Sequence, residues 1–134
     1  MNNIELFKGF EKVITFEVTD AVYTSFQLCS GDLNPLHVDK AFANKNGFPD
    51  IVMYGNILNA FLSYTVGMEL PTKDVILQTQ DIQYKQPVYL HDKLQLSIKA
   101  IDVQDEWHVV IFKYKFTNHE GVIVAKGNVQ IGVF

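Results

Sequence analysis

Cys29 is the only cysteine among 134 residues, so no internal disulfide can form and a reducing, cytoplasmic compartment is expected. Basic residues are few and dispersed: 11 Lys and Arg stand against 15 Asp and Glu, the net charge is −4, and no two cations are adjacent. This pattern argues against a nucleic-acid-binding face. Apolar stretches break within a few residues, far short of the roughly 18 needed to span a bilayer. Met1 to Glu5 lacks the basic and apolar regions of a secretory leader, so none is expected. His91, His108 and His119 have no Cys or His partners at ligand spacing, and no metal site is expected.

The 48% hydrophobic content is ample for one core, and a single domain over residues 1–134 is expected. Lys12 to Val18 alternates, with Ile14, Phe16 and Val18 on one face, and predicts a strand. Thr19 or Asp20 suits the N-cap of a short helix over Ala21 to Cys29, which Gly31 closes. Cys29, at helical spacing from Val22 and Phe26, reads as a small buried residue. Asp39 suits the N-cap of another short helix ending near Gly47. In Tyr54 to Gly67, Ile57, Leu58, Phe61, Leu62 and Thr65 recur at helical spacing, while Ala60, Tyr64 and Val66 make the surface apolar almost all round. A buried helix is predicted there, capped at Gly67 and stopped by Pro71.

From Asp74 onwards the period becomes two. Four strands are expected in a meander, marked by Ile82 and Tyr84, by Leu94 to Ala100, by Val110 to Phe116 and by Val129 to Val133. Leu90-His91-Asp92 and Asn118-His119-Glu120-Gly121 read as turns, and Pro87 as an edge or bulge. Such a sheet buries its apolar face by curling round the apolar helix, an α+β arrangement. The segment Trp107 to Phe116 is apolar on both faces, and the second face calls for at least a homodimer.

Asp32 and His37 lie five residues apart across Asn34-Pro35. On an unbroken helix that spacing rotates by about 140°, and the side chains diverge. Pro35 disfavours the helical region for Asn34 and has no N–H, so the chain bends and the two can converge. An Asp beside a His can hold one water between them, the minimum equipment for general acid–base chemistry. Taken alone, Asp32 could equally close a turn at Gly31.

The run Gly31-Asp32-Leu33-Asn34-Pro35-Leu36-His37-Val38-Asp39, then Ala41-Phe42 and Ile51-Val52-Met53-Tyr54-Gly55, resembles the signature of the MaoC-like, (R)-specific enoyl-CoA hydratase family of hot-dog proteins. The resemblance continues through Asp81-Ile82-Gln83-Tyr84, Pro87-Val88, Asp92-Lys93-Leu94 and Asn118-His119-Glu120-Gly121, nearly the whole chain. It implies a hot-dog fold, an antiparallel sheet wrapped round a long central helix, with dimers whose active sites lie beside the interface. It also implies that Asp32 and His37 are the catalytic pair, acting on a water that adds to a trans-2-enoyl thioester to give an (R)-3-hydroxyacyl thioester, or the reverse. Asp32 is expected to activate that water inside an apolar tunnel, with His37 bonded to the same water. Gly55 would offer its N–H to the thioester oxygen, where a helix N-terminus favours developing negative charge.

By the same resemblance Ser63 matches a polar position near the site, Asn34 and Tyr54 join the substrate-binding set, and Ile57 and Phe61 are candidates for lining an acyl tunnel. No cofactor is implied; CoA or an acyl-carrier protein carries the substrate thioester. Tyr54 departs from the family, which usually has His before this Gly. It keeps a hydrogen-bonding tip, cannot act as an imidazole, and brings bulk that reshapes the pocket. His91 stands where the family often has Gly in a turn, a change expected to be neutral. The competing activities are an acyl-CoA thioesterase and an acyl-thioester-binding protein without turnover.

Overall fold

The computed structural model describes residues 3–134; Met1 and Asn2 of the N-terminal stretch lie outside them. A 3₁₀ turn at Asn3–Phe7 leads into β1 (Glu11–Glu17), followed by α1 (Asp20–Ser30), α2 (Pro35–Val38), α3 (Lys40–Lys45) and α4 (Ile57–Met68). The remaining strands are β2 (Val75–Gln80), β3 (Gln83–Tyr84), β4 (Lys93–Gln104), β5 (Val109–Thr117) and β6 (Ile123–Val133). They form one antiparallel sheet in the order β1-β4-β5-β6-β2, with β3 also paired to β6. The class is α+β, the sheet curling round α4.

Three strands make the expected meander, β4 to β6, but the strand after the central helix differs. It lies beyond β6 and is broken in two rather than running on through Ile82 and Tyr84. Asp81 makes the break. Its carbonyl accepts from the Tyr114 hydroxyl at 2.6 Å and its carboxylate from the Asn128 N–H at 3.1 Å, which takes this residue out of the regular ladder. Burial pushes the Tyr114 phenol pKa upward, so it remains a donor. The strand at β5 begins only at Val109, and Trp107 sits in the preceding turn, 70% exposed.

Each helix end has a local cause. Thr19 Oγ1 accepts from Val22 N–H at 3.1 Å, and Gly31 closes α1 at φ 70°, a conformation glycine adopts without strain. Cys29 is exposed, contrary to expectation. The inward face of α1 runs through Val22, Tyr23, Phe26 and Gln27, and its last turn, Leu28 to Ser30, projects into solvent. The one-turn helix α2 was not expected. Asn34 caps it by accepting from Leu36 N–H at 3.0 Å, and Pro35 occupies the first helical position, where its missing donor costs nothing. Asp39 caps α3 as its position suggests, accepting from Ala41 and Phe42.

The central helix α4 starts at Ile57 rather than Tyr54 and continues past Gly67 to a C-cap at Glu69. It is not buried all round. Ile57, Leu58, Phe61, Leu62, Thr65 and Val66 form the buried stripe, while Tyr64 and Met68 are 47% and 57% exposed. Against that stripe pack the inward residues of the sheet, among them Leu94, Leu96, Ile98, Val110 and Phe112. Phe16 of β1 stacks on Phe61 with centroids 4.5 Å apart. Truncating a fully buried residue such as Leu62 to Ala is expected to cost about 2–5 kcal/mol.

Candidate active site

Asp32 and His37 meet at one end of α4. Asp32 Oδ1 accepts from Asn34 N–H at 2.9 Å, which turns the other oxygen toward His37. Oδ2 lies 3.9 Å from His37 Nε2. That is too long for a direct hydrogen bond and short enough for one water to touch both. His37 Nδ1 lies 2.7 Å from the Val52 carbonyl, so Nδ1 carries a proton, and Nε2, the acceptor of that tautomer, faces the carboxylate. A water held there donates a hydrogen to each and leaves its own lone pairs free.

The burial differs from an enclosed apolar tunnel. The Asp32 side chain is 44% exposed and that of His37 17%. Both line an open cleft of about 530 Å³ whose floor includes Phe26, Met53, Leu58 and Val88. Gly55 lines it too, and its N–H finds no partner among the described residues. The amide precedes α4, where the helix end favours negative charge. A Cβ on Gly55 would lie 2.8 Å from Tyr84 Cε1, so any larger residue would have to push aside the ring of this half-exposed tyrosine.

Tyr54 lines the cleft but is only 3% exposed, and its hydroxyl is already engaged. Its hydroxyl donates to the Asp32 carbonyl at 2.5 Å, and its ring lies 4.2 Å from the His37 ring. The other assigned residues stand apart. Asn34 is occupied as the α2 cap, Ile57 is buried in the core, Phe61 stacks on Phe16 of β1, and none of the three lines the cleft. Ser63 is on the exposed side of α4, also outside it. Leu58 lies on the flank of α4 that reaches the cleft; Ile57 and Phe61, one turn apart, share a different face.

Sequence reasoning passed over Tyr84, Lys85 and Val88 as lining residues. Their segment carried the resemblance without any residue in it announcing a role. Among the described residues, Lys85 is the only lysine lining the cleft. Burial raises the Tyr84 phenol pKa, only partly offset by its hydrogen bonding to Asn59.

A sequence profile described as MaoC like domain matches residues 6–119. The chain belongs to the MaoC-like domain family. Among relatives, it is 25% identical over 111 residues to an (R)-specific enoyl-CoA hydratase of Aeromonas caviae, covering 83% of each chain. It is 27% identical over 101 residues to a mitochondrial 3-hydroxyacyl-[acyl-carrier-protein] dehydratase of Arabidopsis thaliana, covering 73% of this chain and 60% of the relative. The solved structure of the A. caviae (R)-hydratase involved in PHA biosynthesis superposes with a TM-score of 0.86 at 23% identity, covering 94% of this chain and 96% of that one. That superposition establishes the MaoC-like chain as a hot-dog fold. No helix among its described residues is long and apolar enough to cross a membrane.

Proposed function

We propose that this MaoC-like protein hydrates trans-2-enoyl thioesters to (R)-3-hydroxyacyl thioesters, and catalyses the reverse dehydration, through Asp32 and His37. One observation carries the reading. Asp32 Oδ2 and His37 Nε2 stand at a water-bridging separation in the same cleft as the unpartnered Gly55 amide. A thioester carbonyl bonded to that amide is polarised, and the charge that develops on its oxygen meets the N-terminus of α4.

The water between the pair attacks the β-carbon while Asp32 takes one of its protons. The C–O bond forms as the C=C bond becomes single, the proton held by Asp32 passes to the α-carbon, and His37 Nε2 accepts a hydrogen bond from the second hydrogen, which stays on the new hydroxyl. The pair ends as it began, so the reaction calls for no cofactor. Lys85 on the rim supplies a counter-charge for the phosphates of CoA or of a carrier-protein arm.

The protein is further read as a homodimer. Tyr64, on the open side of α4, packs edge-on against Phe16 of β1, an edge strand that exposes Val13, and β2 at the other edge exposes Ile76 and Leu77. Apolar surface beside an unpaired edge is stabilised by a second copy. A solution mass of twice 15.3 kDa is the expected result.

The deciding assay follows crotonyl-CoA by loss of its enoyl absorbance alongside thiol release from acyl-CoA. Absorbance loss without free thiol is expected. Thiol release without hydration assigns a thioesterase instead, and binding without either reaction assigns a non-catalytic acyl-thioester protein.

A further inference from the structure

The segment that carries Asp32 and His37 has little hydrophobic anchorage of its own. Leu33 is 65% exposed, Val38 41%, and no residue of α2 is buried. Its placement depends on a few polar contacts made from outside. Two of these are matched. The Tyr23 hydroxyl donates to the His37 carbonyl at 2.6 Å, and the Tyr54 hydroxyl donates to the Asp32 carbonyl at 2.5 Å.

Each phenol has one hydrogen and spends it on the backbone of one member of the pair. Gln27 joins the two from the inner face of α1, its Nε2 donating to the Tyr23 oxygen at 3.4 Å and to the Tyr54 oxygen at 3.2 Å. Tyr23 and Gln27 are one turn apart on that helix, so they present their tips side by side. The rings complete the unit: Tyr54 stacks on Tyr23 at 5.8 Å and lies against His37 at 4.2 Å. Burial, with Tyr54 adding to it, raises the Tyr23 phenol pKa and keeps it a donor.

We propose that Tyr23, Gln27 and Tyr54 form a positioning brace that sets the Asp32–His37 separation, the Tyr54 hydroxyl serving in this chain as a structural clamp on the pair rather than as a hydrogen-bond donor to substrate. The kinetic consequence rests on the Asp–His hydration reading; the geometric one does not. A hydrogen bond to each carbonyl fixes both ends of a short, exposed segment, and misplacement of a reacting group by about 1 Å costs about 100-fold in rate. Gln27 couples the two ends, so loosening one phenol loosens the other.

The experiment compares wild type, Tyr54→Phe, Gln27→Met and the double variant by kcat and KM on crotonyl-CoA, by thermal midpoint, and by the NMR signal of the His37 Cε1–H. Tyr54→Phe keeps the ring on His37 and removes the bond to Asp32. A fall in kcat of about 10- to 100-fold is expected, with KM within about 2-fold and an unshifted melting midpoint. Gln27→Met moves kcat the same way by a smaller factor, and the double variant loses less than the product of the two. Unchanged kcat in both single variants overturns the brace, as does a rate loss accompanied by a proportionate loss of stability. Should Tyr54→Phe fail to fold, Gln27→Met, only half-buried, carries the same comparison. If wild type turns nothing over, the hydratase reading fails by itself. The brace is then judged by His37: a displaced or broadened signal in Tyr54→Phe upholds it, because Phe preserves the ring current, and an unmoved signal overturns it.

Discussion

His37 Nδ1 lies 2.7 Å from the carbonyl oxygen of Val52. A carbonyl only accepts, so this contact fixes the tautomer and leaves Nε2 open toward Asp32. His37→Asn puts a carboxamide N–H near the position of Nδ1 and nothing at Nε2. Hydration of crotonyl-CoA should drop by about 10²- to 10⁴-fold while the thermal midpoint stays near that of wild type. His37→Ala loses the anchor as well, and leaving the Val52 oxygen without its donor should lower stability by about 1–3 kcal/mol. Equal midpoints for the two variants would remove the anchoring role given to Nδ1.

A side chain at Gly55 would crowd Tyr84 and the proposed substrate carbonyl, two effects that a double variant separates. A Cβ would meet Tyr84 Cε1 at 2.8 Å, and a substrate carbonyl must also come close to this amide. Gly55→Ala should cost about 1–3 kcal/mol by pushing Tyr84 aside. Adding Tyr84→Ala should restore the chemical-denaturation midpoint but not the hydration rate, because the methyl group still stands over the N–H. Recovery of both would leave Tyr84 as the whole reason for the glycine.

What the sequence revealed and what it hid follow the range of the interactions. The Asp32–His37 convergence was legible because a local break, Asn34-Pro35, creates it. The caps at Thr19, Gly31 and Asp39 were legible for the same reason. The long strands showed in their alternation, Leu94-Leu96-Ile98 and Val110-Phe112-Tyr114 above all. The split of β2 from β3 was hidden, since it depends on Tyr114 and Asn128 reaching Asp81 from 33 and 47 residues away. Ser63 was placed near the site by the resemblance and Phe61 as a candidate for an acyl tunnel, and a helix does not announce its rotation about its own axis. The Tyr54 clamp on Asp32 was equally out of reach, because a carbonyl leaves no mark in sequence.

His91 adopts φ 73°, a left-handed conformation, in a turn where its change from the family's glycine was expected to be neutral. A side chain pays there for crowding between Cβ and backbone. His91→Gly should therefore raise stability by about 0.5–1 kcal/mol, the relief of strain exceeding the entropy that glycine adds to the unfolded chain. The exposed His91 Nε2 is 3.8 Å from Asp20 Oδ2, a surface contact of little weight against this gain. Urea denaturation of the two proteins tests the sign.

Glu69 links β1 to the end of α4. Lys12 Nζ lies 2.6 Å from its Oε2, and the Tyr64 hydroxyl donates to its Oε1 at 3.1 Å. The Lys12 ammonium first, and the Tyr64 hydroxyl next, hold the carboxyl pKa below its ordinary 4.5. The folded state thus binds this proton less readily than the unfolded chain. The stabilisation is fully present above the unfolded value and is lost as pH falls through the lowered folded one. Glu69→Gln should be less stable than wild type near neutrality, and the difference in urea midpoint should close below 4.5. A difference that persists unchanged into acid would assign the effect to packing.

On the outer face of the sheet, Lys99 stands directly opposite Lys113, and Lys115 opposite Lys126. None of these four exposed lysines takes part in an ion pair among the described residues, whose lysine pairs engage Lys8 and Lys12. Like charges directly across a strand pair are destabilising, by up to about 1 kcal/mol. Lys113 also has Lys115 two residues along the same face, so it is the best position for reversing the sign. Lys113→Glu should raise stability by about 0.5–1 kcal/mol at low ionic strength, and Lys113→Gln by roughly half as much. Salt screens exposed charges, so the advantage of Glu over Gln should shrink toward zero at about 1 M, where the Debye length is about 3 Å. A gain equal for Gln and Glu at every salt concentration would trace it to strand propensity rather than charge. Because this face lies across the sheet from the cleft, neither variant should alter the hydration rate, and a parallel assay separates the two surfaces.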